Sequence, residues 1–308
     1  MPKSIATFQL SSIRQRQPPN MKELRLILLL MLLAATQMAT GGPVLDSIYV
    51  VVKLANNGDA RVVTKCVVTA DVESSECFIP VNIPEGSQLK NFNVSRENEN
   101  YYLKNSPTWD TRWSRYDKLN KCAIEARGDN NYVMHWGLSE NGTRKFYIFY
   151  NITGLLRGFS DSDGFCHEFV SPGIYPLPQH AEVIVYCEES AFTPDNAEVW
   201  AKGFEGKTIV SKTGSIYARG ENPFDQENLM VIAVRFKKGL FTPELATEAR
   251  FNDYAKDIID NHTNTHHPTP TTQHNSIFYI AIAVASILAI VLLIATLFFA
   301  SRVLRNRF

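Results

Sequence analysis

Five cysteines, Cys66, Cys77, Cys122, Cys166 and Cys187, have the widest chemical repertoire in this chain. None shows the CxxC spacing of a zinc knuckle, and in an oxidising compartment thiols tend to pair. An odd number leaves one over. Cys166 and Cys187 lie on two strand-like runs that could be neighbours, so that bridge is the first expectation and Cys66 with Cys77 the second. The leftover thiol is expected to be buried rather than reactive. Asp161-Ser162-Asp163-Gly164 opens like a calcium loop. A third ligand before its glycine and the closing glutamate are out of register, so a polar turn between strands is the simpler reading. His262, His266, His267 and His274 could gather a divalent metal only if something held them. Their Thr- and Pro-rich surroundings offer no such frame, and no metal is expected. His135 beside Trp136 and His167 beside Glu168 fall on strand-like runs, where a partly buried, hydrogen-bonded histidine is the default.

Nucleophilic, zinc-hydrolytic and phosphate chemistry leave no signature. The chain has no GxSxG, no HExxH and no GxxxxGK[ST]. Neither catalysis nor a cofactor is therefore expected. Recognition is the remaining chemistry. Trp109, Trp113 and Tyr116, with Tyr101 and Tyr102, are interleaved with Asp110, Arg112, Arg115 and Lys118 in a segment without β alternation. Contact surfaces are enriched in aromatic and arginine side chains. The alternative is a long connection packing its aromatics onto a sheet. Trp109, Trp113 and Tyr116 are the contact-surface candidates.

The elements that must position these residues begin with the addresses at the two ends. Ser276 to Ala300 contains no charge, proline or glycine, and about 20 apolar residues in helical rise cross the ~30 Å hydrocarbon core. Arg302, Arg305 and Arg307 follow it, while the preceding segment to Asn275 lacks lysine and arginine. Positive charge marks the cytoplasmic side, so the long N-terminal part should face outward. At the other end, Met21-Lys-Glu-Leu-Arg25, the apolar Leu26 to Ala35 and the small Ala39 to Gly42 have the order of a secretory signal peptide. Residues 1–41 are thus expected to be extension and signal, with Met21 a possible start. The sequons at Asn93, Asn141, Asn151 and Asn261 all fall on the predicted outer side and are the glycosylation candidates. Asn151 directly follows a β run and should be less accessible. Within the span Ala281, Ala285 and Ala289 recur on one helical face, a packing surface for a homodimer or another membrane helix.

Lys and Arg balance Asp and Glu, 31 against 31, so no basic field argues for nucleic acid. Residues 42–241 read as short β-prone runs: Ser47 to Leu54, Ala60 to Ala70, Cys77 to Ile83, Tyr132 to Leu138, Lys145 to Ile152, Ala181 to Cys187, Lys207 to Thr213 and Asn228 to Phe236. The turn Asn56-Asn57-Gly58-Asp59 joins the first two as a hairpin, and Asn141-Gly142 joins Tyr132 to Leu138 with Lys145 to Ile152. The spacing predicts an all-β ectodomain, sandwich-like, as one unit or two β subdomains, followed by one C-terminal transmembrane helix. Thr242 and Pro243 predict the start of a short helix over residues 242–260. Residues 261–275 read as a Thr/Pro/His-rich stalk, 276–300 as the span and 301–308 as a cytoplasmic tail.

These features together resemble an uncharacterised, mostly prokaryotic family of predicted membrane proteins with an extracytoplasmic β-rich domain. The likeness rests on the turn at Asn57-Gly58-Asp59, Ile79-Pro80, the run Gly142 to Tyr147, Tyr150, Gly154, Asp161 to Asp163, Tyr175 to Pro178 and Val234 to Phe241. It spans most of 47–241 and implies architecture rather than mechanism. The chain departs from that pattern in its cysteines, its sequons and its single C-terminal span. The expected protein is a single-pass type I glycoprotein of the plasma membrane, recognising an unidentified protein or glycan. The alternative is an accessory subunit that joins a membrane complex through its span.

Overall fold

Alternating burial starts at Val44 and governs the architecture. The structure is a computed structural model that describes residues 42–97 and 102–261. Strand β1 (Val44–Leu54) buries Ile48, Val50, Val52 and Leu54 on one face, and β2 (Ala60–Ala70) buries Val62, Thr64, Cys66 and Val68. The turn between them closes on Gly58 at φ 91°, where an added Cβ would also run into the Leu156 carbonyl. Glycine alone suits both conditions.

The strands then follow as β3 (Glu76–Asn82), β4 (Gln88–Arg96), β5 (Lys104–Asn105), β6 (Lys121–Ala126), β7 (Asn131–Gly137), β8 (Gly142–Thr153), β9 (Arg157–Gly158) and β10 (Ser162–Val170). The remainder are β11 (Ala181–Cys187), β12 (Ala197–Lys202), β13 (Gly206–Val210), β14 (Ile216–Gly220) and β15 (Met230–Lys237). A seven-stranded sheet runs β13-β14-β11-β1-β2-β8-β4, antiparallel except where β1 lies parallel to β11. Two four-stranded sheets run β12-β15-β10-β9 and β3-β7-β6-β5. The described residues are thus mostly β. Side chains from all three sheets join one continuous core that includes Val52, Cys66, Ile148, Val185, Cys77, Trp136, Phe165 and Phe236. One shared core means one unit rather than two β subdomains.

Three expectations need correction. Asn141-Gly142 does not close a hairpin: β7 pairs with β3 and β6, while β8 pairs with β2 and β4, so the connection crosses from one sheet to another. The helix expected over 242–260 forms only at its end. Thr242 to Ala249 runs as a strap whose backbone bonds go to distant partners. Thr242 N donates to Asn56 O, Glu244 N to Asn57 O and Thr247 N to Gly158 O, and Leu245 O accepts from Gly158 N. Groups engaged this way cannot also build the i to i−4 ladder of a helix. Helical turns α2 (Phe251–Tyr254) and α3 (Lys256–Asp260) follow a first helical turn, α1 (Arg115–Lys118), in the loop before β6.

The third correction concerns the cysteines, all of them free thiols. Cys166 on β10 points to the outer face of its sheet, among Phe159, Ala233, Phe251 and Ala255. Cys187, in phase with Val183 and Val185 on β11, faces the main core of a different sheet. The two thus sit on separate sheets, one thiol outside the main core and the other within it, and both are free. Cys66, on the same seven-stranded sheet as Cys187, and Cys77, on β3 of the third sheet, both enter the main core and also stand as free thiols. Burial pushes both thiols upward from their ordinary value.

No helix among the described residues is long and apolar enough to cross a membrane. The expected signal, span and tail and the stalk beyond Asn261 lie outside them, as do Tyr101 and His262, His266, His267 and His274.

Candidate recognition site

The loop between β5 and β6 lies against the outer face of the β3-β7-β6-β5 sheet. On β7 Met134 and Trp136 enter the main core, which turns Val133 and His135 to the other side. Phe78 on β3 is the cross-strand partner of His135. The Trp109 ring stacks on His135 at 5.5 Å between centroids and 19° between planes. Phe78 lies 5.8 Å from His135 on its other flank and stacks on Tyr175 at 5.5 Å. Trp113 packs against Trp109 at 5.9 Å, and Lys121 Nζ lies over the Trp113 ring at 5.3 Å. The result is a continuous aromatic ledge, Trp113-Trp109-His135-Phe78-Tyr175. Ring contacts of this kind contribute beyond the area they bury.

Charged groups fix the ledge from beneath. Lys118 is fully buried, and its Nζ donates to Thr111 O at 2.7 Å and Ser75 Oγ at 3.3 Å. It also pairs with Glu76 Oε2 at 3.3 Å. The same carboxylate oxygen accepts the Trp109 indole N–H at 2.5 Å. One glutamate thus ties the loop's tryptophan and its lysine to β3. Gly137 permits this approach, since a Cβ there would overlap the Lys118 carbonyl. Ser114 and Asp117 cap α1 reciprocally, and Arg115 donates to Leu138 O, Asp71 O, Val72 O and Asn141 Oδ1. At the rim, the Arg112 guanidinium bound to Asp110 holds that carboxyl down at about 2.

His135 is the unusual member. Both ring nitrogens are buried without a hydrogen bond, although Nε2 comes to 3.4 Å from Glu125 Oε2 at the sheet's edge. Burial pulls its pKa below the ordinary histidine value, outweighing the opposing effect of Glu76 and Glu125. The ring is therefore a neutral, apolar slab for Trp109.

Of the contact candidates, Trp109 and Trp113 come together, both half-buried, whereas Tyr116 stands apart at 83% exposed. Tyr102 packs elsewhere, on Phe149 at 6.2 Å. Sequence reasoning missed Glu76, Phe78 and Tyr175, and it gave His135 hydrogen bonds that it does not make. Strand parity at His135-Trp136 was the available signal, because Trp136 in the core puts His135 on the outer face. The Asp161 to Gly164 turn is a structural clasp. Asp161 Oδ1 accepts from Phe251 N, and the buried Asp163 accepts from Gly239 N and Phe241 N. Among the described residues no group of three or more His, Cys, Asp or Glu is placed to hold a metal ion.

The sequons divide by surroundings. Asn141 and Asn261 are exposed, and Asn93 is half-buried on β4. Asn151 is half-buried on β8, with Arg61 as its register partner on one side and Lys90 on the other.

No family model and no curated protein matches the chain. Similarity to solved structures is remote. Leukotriene A4 hydrolase from Saccharomyces cerevisiae aligns with 62% of this chain and 29% of its own, at 7% identity and a TM-score of 0.37. Aminopeptidase A from Legionella pneumophila aligns over 62% and 21% at 10% identity and a TM-score of 0.34. An M1 zinc metallopeptidase from Deinococcus radiodurans aligns over 62% and 42% at 11% identity and a TM-score of 0.29. The chain thus matches less than half the length of these proteins, and scores this low carry no argument about its fold or chemistry.

Proposed function

We propose that this chain is a single-pass type I glycoprotein of the plasma membrane whose β-rich, sandwich-like ectodomain recognises a protein or glycan partner without catalysis. The observation that carries the reading is the ledge of Trp113, Trp109, His135, Phe78 and Tyr175 on the outer face of a sheet, with the exposed Tyr116 on the same loop. Rigid aromatics at an edge present contact area at small entropic cost. The Glu76–Lys118 pair holds the loop before any partner arrives, which lowers the cost of binding. Supporting the placement are the apolar run 276–300, its arginine flank, the N-terminal signal pattern and the pattern shared with the uncharacterised membrane-protein family. N-linked glycans belong at Asn93, Asn141 and Asn261.

The test is partner capture by the full chain from intact cells, comparing the parent with Trp113→Ala/Tyr116→Ala. Both changes lie at the exposed side of the loop and leave the Glu76–Lys118 tie in place. Capture should fall by about tenfold or more, as for central aromatic anchors. Unchanged capture would remove the ledge from the reading. A second chain with 276–300 replaced by polyleucine separates the alternative. Partners lost only there would make this an accessory subunit that packs through Ala281, Ala285 and Ala289.

A further inference from the structure

We infer a second binding site, for a sulfated polysaccharide, in a basic pocket at one end of the seven-stranded sheet's outer face. The pocket has a volume of about 390 Å³, and its polar lining is Lys53, Asp59, Arg61, Lys90, Asn91, Asn151 and Thr153. It shares no residue with the aromatic ledge.

Its cations are brought into line by strand register. Lys53 on β1 pairs with Arg61 on β2, Arg61 with Asn151 on β8, and Asn151 with Lys90 on β4. Antiparallel partners point to the same face, and neighbouring strands lie about 4.8 Å apart, so this row crosses the sheet over roughly 15 Å. At the far end β4 carries a bulge between Lys90 and Asn93, with Asn91 in the left-handed region at φ 56°. Asparagine tolerates that conformation better than most residues. Bulges of this kind re-aim side chains, and this one brings both Lys90 and Asn91 into the pocket.

The charges are available. Arg61 and Lys90 are exposed, and beyond their ladder pairing their side chains make no ion pair or hydrogen bond among the described residues. Lys53 pairs with Glu188 at 2.5 Å. The lining's one carboxylate, Asp59, already accepts the Gly154 N–H at 2.9 Å. The pocket therefore presents a net positive row with uncharged amide and hydroxyl groups set between its cations.

That pattern selects the ligand. A row of about 15 Å exceeds one phosphate or sulfate and suits an extended chain bearing several anionic groups. Guanidinium and ammonium groups take the sulfate esters, while Asn91, Asn151 and the Thr153 hydroxyl suit sugar hydroxyls. A bilayer surface is flat on this scale and would not reach the recessed Asn151 and Thr153. In this assignment Asn151 serves the pocket and carries no glycan.

The experiment is binding of the detergent-solubilised full chain to immobilised heparin, a sulfated polysaccharide, over a range of NaCl. Binding should weaken steeply as salt screens the row. Arg61→Glu/Lys90→Glu should bind about tenfold more weakly or worse, with Arg61→Lys close to the parent and an unchanged melting temperature. Lys212→Glu/Lys256→Glu makes the same change in net charge at exposed positions outside the pocket and should bind like the parent. Equal loss in both double variants would reduce the effect to overall charge and overturn the site. So would an absence of heparin binding, or Arg61-dependent capture by phosphatidylserine vesicles in its place. Peptide mapping that finds an N-glycan on Asn151 would also overturn it, because the sugar would fill the pocket.

Discussion

A buried lysine is the least expected residue in the molecule, and its partners explain it. Lys118 has given up its hydration for Thr111 O, Ser75 Oγ and the Glu76 carboxylate. Removing one member of a buried pair leaves the other uncompensated, at a cost of about 3–5 kcal/mol. Lys118→Met should therefore destabilise the folded chain by about 3 kcal/mol in denaturant titrations. Adding Glu76→Gln should recover part of that loss, since an amide needs no counter-charge. A double variant no better than the single one would show that the lysine acts by packing alone. His167 supports a second prediction. It lies in the core face of β10 against Phe169 at 4.7 Å, and burial lowers its pKa from 6.5 to about 4. In the unfolded chain the imidazole protonates at its ordinary value. Between the two values the unfolded state holds more protons, so stability falls as pH drops from 6.5 towards 4 and levels out below. The shift corresponds to about 3 kcal/mol. In urea titrations of parent and His167→Leu, the stability difference should shift by about 3 kcal/mol against the parent as pH falls from 6.5 towards 4, and parallel curves would refute the assignment.

At the scale of elements, the C-terminal strap and helical turns form a separable layer. Phe251 is fully buried, meets Phe159 edge-on at 5.2 Å and donates its N–H to Asp161 Oδ1. Its cluster with Ala233, Ala255 and Ile258 is distinct from the main core. Phe251→Ala should cost about 3–5 kcal/mol locally, releasing α2 and α3 while the three sheets persist. Cys166 lies beneath that layer, so maleimide should label it many-fold faster in the variant, with the melting of the sheets little changed. Equal labelling rates would mean that the layer is held mainly by the strap's backbone bonds. The same region shows what was legible in the sequence. β1, β2, β8 and β11 were readable because each buries every second residue, a local pattern that their apolar residues spell out. Thr242 to Ala249 was not, because its partners Asn56, Asn57 and Gly158 lie far away in the chain. Asn141-Gly142 has hairpin chemistry, yet which sheet receives the next strand depends on pairing that no local motif encodes. The tryptophans of the ledge could be nominated from composition. Their platform, Glu76, Phe78, His135 and Tyr175, becomes one surface only when β3, β7 and the Tyr175 segment meet.

For the whole molecule, the distribution of sulfur decides between covalent and non-covalent cohesion. A chain bound for an oxidising compartment is expected to pair its thiols, and small domains often need such bridges. This one has a core drawn from three sheets, and the cysteines it buries stand as free thiols. Cys66, Cys77, Cys122 and Cys187 are buried, and Cys122 Sγ donates to Asn105 Oδ1. Cys122 and Cys166 are each pushed up to about 11 by burial, which suppresses the thiolate that exchange chemistry requires. Burial and protonation therefore both oppose thiol–disulfide exchange once the chain has folded. Purified chain, denatured without reductant and alkylated with iodoacetamide, should gain five adducts by mass, one for each cysteine in the sequence. Under native conditions Cys166, the one half-exposed thiol among them, should react first. A shortfall of two adducts in the denatured sample would reveal a bridge. Since Cys166 lies on the outer face of its sheet and Cys187 faces the main core, a bridge between those two would require the β10 face to turn over, and the packing of α2 and α3 on it could not survive.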